Sequence, residues 1–106
     1  MIDMGSSDLE AVKRILSQYV PHCEVRVFGS RINGTAKAYS DLDLVLIGRD
    51  KIDWRIIEKV KQAFSESDLP FMVDVLDWHV ISQEFRGVIE KKNEIIQPRG
   101  APNKRT

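Results

Sequence analysis

Apolar residues recur three or four positions apart at Leu9, Val12, Leu16, Tyr19 and Val20, which predicts an amphipathic helix. Ser7-Asp8-Leu9-Glu10 ahead of them has the form of a capping box, and Pro21 stops the helix. Glu24-Val25-Arg26-Val27-Phe28 alternates and carries β-branched residues, so it reads as a strand closed by Gly29. Residues 31–38 hold at most a short helix, broken by Gly34. Asp41 to Ile47 reads as a second strand. Leu42, Leu44 and Leu46 share one face, and Asp41, Asp43, Val45 and Ile47 share the other. After a turn at Gly48-Arg49-Asp50, a second long helix is marked by Ile52, Ile56, Ile57, Val60, Ala63 and Phe64. A third strand spans Phe71 to Leu76. Ser82 is placed to cap a last helix carrying Phe85, Val88, Ile89 and Ile95 or Ile96. The order is helix, strand, loop, strand, helix, strand, helix. It predicts an α/β (α+β) domain, a small mixed sheet covered by helices.

Composition sharpens this picture. The chain has 106 residues, enough for one domain with a single core. We place that domain at residues 1–97 and read 98–106, QPRGAPNKRT from Gln97 onward, as a disordered basic tail. The formal net charge is zero, so no global field favours nucleic acid or an anionic membrane, and direct nucleic-acid binding is not expected. No run of 18 apolar residues predicts a membrane span. The polar N-terminus lacks a signal peptide's pattern, and a single cysteine, Cys23, fits a reducing compartment, so a cytoplasmic location is expected. Cys23 reads as a core thiol rather than a nucleophile, because nothing suggests a poised base.

The chemistry concentrates in three places. Asp41 and Asp43, at i and i+2 on a strand, point the same way, roughly 6–7 Å apart along the chain. Like charges that close, partly desolvated, raise each other's pKa unless a cation joins them. Oxygen ligands suit Mg²⁺, which shares its sites readily with phosphates. Asp74, set among Phe71, Met72, Val73, Val75 and Leu76, is the expected third carboxylate. Asp77, at the strand end, is explained by solvation or helix capping. Gly29-Ser30 supplies the other half: the glycine lets backbone approach a ligand, and N–H groups at a helix start favour an anion. The plainer alternative has Asp41 and Asp43 capping a turn or pairing with Arg31 or Lys37. It leaves Asp74 without a reason.

Gly29-Ser30, ten intervening residues, Asp41-Leu42-Asp43, then Asp74 together resemble the minimal nucleotidyltransferase (MNT) domain of the DNA polymerase β-like nucleotidyltransferase superfamily. Gly29-Ser30-Arg31, Gly34 and Ser40-Asp41-Leu42-Asp43-Leu44 match the longer form of the same motif. The likeness covers about residues 8–96. One departure is Asn33, where relatives often carry a second basic residue.

The resemblance implies a nucleotidyltransferase fold and a set of roles. Asp41 and Asp43 would bind two Mg²⁺ ions, and Asp74 would help bind one and activate the acceptor hydroxyl. Gly29 and Ser30 would hold a nucleoside triphosphate, ATP foremost, with Arg31 and Ser40 beside them; Arg31 and Lys37 are candidates to neutralise phosphate charge. Stand-alone MNT domains resemble the antitoxin of HEPN/MNT toxin–antitoxin modules. This implies AMP transfer from ATP to a tyrosine hydroxyl of a helical HEPN ribonuclease. Two other readings stay open at this point: an antitoxin acting only by complex formation, and a small-molecule nucleotidyltransferase in which a homo-oligomer, namely a homodimer, builds the substrate cleft. Trp54, Trp78 and Phe85 are candidates for a partner surface, with burial in the core as the alternative for each.

Overall fold

The computed structural model describes residues 2–100. Eight elements follow the chain: α1 (Ser6–Tyr19), β1 (Glu24–Phe28), α2 (Ser30–Asn33), β2 (Leu42–Ile47), α3 (Trp54–Ser65), β3 (Val73–Asp77), α4 (Gln83–Lys91) and β4 (Glu94–Gln97). The strands form one sheet in the order β3-β2-β1-β4. β1 is antiparallel to both its neighbours, while β2 and β3 run parallel, joined through α3. The sheet is therefore mixed, as the pattern of elements predicts.

Strand parity divides the core in two. Leu42, Leu44 and Leu46, with Val25 and Val27, pack against Val12 and Leu16 of α1 and Val60 and Phe64 of α3. The leucines are fully buried, and each such burial stabilises by roughly 1.5–3 kcal/mol. The opposite face carries Val45 with Phe28 and Ile89 of α4, flanked by Trp78 and Phe85. Phe28 and Phe85 meet edge-on, ring centroids 5.7 Å apart. Of the three aromatics offered to a partner, Phe85 and Trp78 thus belong to this second core, with Arg86 stacked over Trp78. Trp54 is exposed.

Several boundaries differ from the sequence reading. α1 begins at Ser6 with Gly5 as its N-cap and no side-chain cap, so the expected capping box at Ser7 is not formed. Ser82 does cap α4, accepting from the Phe85 N–H at 3.1 Å. That helix stops at Lys91. Lys92 is extended, the Asn93 amide donates to the Ile89 carbonyl, and Ile95 and Ile96 lie on a fourth strand rather than on the helix. β4 pairs with the free edge of β1, and Gln97 donates to the Val20 and Cys23 carbonyls. Of the expected tail, Pro98 to Gly100 follow β4 without regular structure, and 101–106 lie outside the described residues. Cys23 is buried, and burial, then the charge of Asp77, pushes its thiol pKa up, as suits a core residue.

Candidate active site

β1 ends at Phe28, and Phe28 faces Asp43 across the β1–β2 pair. Gly29 follows with φ of 84° and ψ of −153°, backbone open to glycine and strained for other residues. A side chain there would meet the Asp43 carboxylate: a Cβ on Gly29 falls 2.3 Å from Asp43 Oδ2. The Gly-Ser turn and the Asp-x-Asp strand are thus one contact. Gly29 O accepts from the Ile32 and Asn33 N–H groups, and Gly34, at φ of 80°, closes the single turn of α2. Ser30 is half-buried at its start.

On the other side of β2, Asp43 pairs in register with Asp74 of β3. In a parallel pair these two side chains stand on the same face. That face is the one α4 covers further along, where Val45 lies. Asp41 sits one residue before β2 and is exposed. Burial first, then the charges of Asp74 and Asp41, raise the Asp43 pKa above 3.8. The three aspartates expected to act together are therefore electrostatically coupled.

Their environments differ from expectation in one respect. Asp74 is exposed, not buried, because β3 is an edge strand and this face is open there. Only Asp43 is partly desolvated. Among the described residues, no three Asp, Glu, His or Cys side chains form a ready-made cation cage. The donor set still fits Mg²⁺. That ion keeps several waters and takes one or two carboxylates plus substrate phosphates, rather than an all-protein cage. The uncompensated charge at Asp43 is the feature it would relieve.

Arg31 has a different task from the one its sequence position suggested. Its guanidinium is buried and donates to the carbonyls of Ser40, Ala38 and Asp3, at 2.8–3.1 Å. It also stacks on Phe71, 4.2 Å from the ring centroid. Three of its four donated bonds hold the 35–41 loop in place and the fourth ties in Asp3; together they leave this cation committed to architecture rather than to phosphate. Ser40 serves the same loop: its hydroxyl accepts from the Lys37 N–H at 2.8 Å. The Lys37 residue itself is exposed.

Asp77 is the residue that sequence reasoning misjudged. It is buried and accepts from Ile52 N at 2.8 Å and His79 N at 2.9 Å. It anchors the segment before α3 to the end of β3, rather than meeting solvent or capping a helix.

Comparison with known proteins agrees with this fold. Residues 6–99 match the family model of the poly(A) RNA polymerase, mitochondrial-like, central palm domain. The chain is 49% identical over 96 residues, 91% of its length, to a Haemophilus influenzae protein named as a probable protein adenylyltransferase, MntA, of which it covers 84%. Solved structures share the fold at lower identity. One is a toxin–antitoxin with AMP-PNP, with a TM-score of 0.65 and 20% identity over 89% of this chain and 74% of that one. Another is a tri-AMPylated Shewanella oneidensis HEPN toxin in complex with its MNT antitoxin, with a TM-score of 0.62 and 19% identity over 92% and 74%.

Proposed function

The chain belongs to the nucleotidyltransferase family of poly(A) polymerase-like palm domains, alongside the protein adenylyltransferase MntA, and from that premise we propose that it transfers AMP from ATP to a tyrosine hydroxyl of a HEPN-domain ribonuclease, as the antitoxin of that toxin. The observation that carries the reading is the Asp43 carboxylate. It lies against Gly29 on one side and in register with Asp74 on the other, with its pKa raised by burial and then by the charges of Asp74 and Asp41.

The residues divide the work. Gly29 lets the triphosphate approach the backbone, and Ser30 adds a hydroxyl donor to it. Asp74, exposed beside Asp43, orients the acceptor hydroxyl and takes its proton. The acceptor oxygen forms the new bond to the α-phosphorus, the α–β anhydride bond breaks, and pyrophosphate leaves. Asp41, Asp43 and Asp74 would hold Mg²⁺, which would supply charge neutralisation at the transferring group. Arg31 and Ser40 contribute by fixing the loop that leads into Asp41. A cytoplasmic protein fits this role, with its one cysteine a free, buried thiol. None of the described helices is long and apolar enough to cross a membrane.

The test uses ATP labelled at the α- or the γ-phosphate, Mg²⁺ and the purified HEPN partner. Label on the partner from α-labelled ATP only, lost in Asp43→Asn, is the expected result. Label arriving from the γ-phosphate would mean phosphoryl transfer instead. No label with a tight complex would leave inhibition to binding alone, and label on a small molecule would point to a different acceptor.

A further inference from the structure

At the sheet edge, between the end of α3 and the start of β3, lies a groove of about 700 Å³. Phe64, Leu69 and Phe71 are among its lining, Tyr39 and Met72 contribute to it, and Asp74 lies in the same wall. Tyr39 is 79% exposed and Met72 73%, the two most exposed large apolar residues among those described. Resting on the reading above, we infer that this groove is the acceptor site: it seats an extended, tyrosine-bearing segment of the HEPN partner and delivers that ring to Asp74.

Three observations on the molecule select this occupant. First, sides are assigned by the sheet. The order β3-β2-β1 puts the Gly29 turn on one side of Asp43 and Asp74, which also lines the groove, on the other. An in-line displacement needs the entering and leaving oxygens on opposite sides of phosphorus, which assigns the Asp74 side to the entering oxygen. Second, the groove is continuous with the reacting centre through Asp74, the carboxylate proposed to meet the acceptor. Third, β3 has no strand on its outer side. A strand edge offers backbone donors and acceptors to an extended segment, while an apolar, aromatic-lined trough takes a ring. The groove is also held in shape. Arg31 bonds the carbonyls that flank Tyr39, those of Ala38 and Ser40, and stacks on Phe71. One guanidinium thus ties the Tyr39 loop to Phe71, another residue of the groove lining.

Tyr39→Ala, Met72→Glu and the double variant test this, since both residues are exposed and neither supports the core. Steady-state AMP transfer is measured with the HEPN partner varied, then with ATP varied. The upward shift in melting temperature caused by Mg²⁺ and ATP is measured in parallel. The expected result is a KM for the partner raised about tenfold or more in the double variant, the size of effect seen for buried aromatic anchors, with KM for ATP and the nucleotide-induced shift unchanged. An unchanged KM for the partner overturns the inference while leaving AMP transfer itself intact. A lost nucleotide shift overturns it in favour of a groove that holds the adenine. If the unmodified chain labels no partner at all, the proposed function falls, and this inference with it.

Discussion

The missing side chain of Gly29 and the carboxylate of Asp43 are one feature seen from two residues. Gly29→Ala is expected to destabilise the chain by about 1–3 kcal/mol through its backbone conformation alone, before the clash with Oδ2 is counted, and to abolish AMP transfer. Denaturant unfolding and a labelled-ATP assay check the two effects. Asp43→Asn separates function from stability. The folded chain holds the Asp43 pKa above its ordinary 3.8, so ionisation is harder in the folded state than in the unfolded one. Stability from this group is complete below about pH 3.8 and is lost as pH rises through the raised value. Without metal, Asp43→Asn is therefore expected to melt higher than the parent at pH 7, with that advantage gone at pH 3. Its activity should fall by at least about a hundredfold, the scale of losing one preorganised electrostatic group. Thermal unfolding at the two pH values would expose a structural partner for Asp43 if the variant melted lower at pH 7.

At the scale of elements, the Arg31 side chain ties the loop between α2 and β2 to the rest of the domain. Arg31→Ala leaves the carbonyls of Asp3, Ala38 and Ser40 without their donor, and is expected to cost about 2–4 kcal/mol by urea unfolding. Arg31→Lys should recover little, because an ammonium cannot spread donors across several carbonyls or stack on Phe71. This role was not legible in the sequence, where an arginine after Gly-Ser looks like a phosphate ligand. The strands were legible because parity is strict: the rule that put Leu42, Leu44 and Leu46 inward also put Asp43 beside Asp74. The exposure of Asp74 was not, since position in a sheet depends on pairing order, which no local pattern carries. β4 was missed for a related reason. Glu94-Ile95-Ile96-Gln97 is too short to show a period, and its isoleucines continue the helical spacing of Phe85, Val88 and Ile89. Only the open edge of β1, a tertiary fact, makes it a strand.

For the whole molecule, the proposed ligand and the fold are expected to be linked through the same acidic cluster. Mg²⁺ with ATP at a hundredfold over its dissociation constant is expected to add about 2.7 kcal/mol to the stability, and Asp43→Asn to remove most of that gain. Differential scanning fluorimetry with Mg²⁺ alone, ATP alone and both together would show whether the two act as one ligand; equal shifts from each alone would argue against a shared site. The strand order carries a consequence for biosynthesis. A growing chain delivers β1, β2 and β3 in turn, and β4 arrives last to close the opposite border. A nascent polypeptide cut short just before position 94 already holds every residue of the chemistry, yet leaves β1 unsealed. The proposed site is thus encoded ahead of the strand that covers β1, and a ribosome stalled over those last codons would present the sheet with one more exposed pairing edge, that of β1.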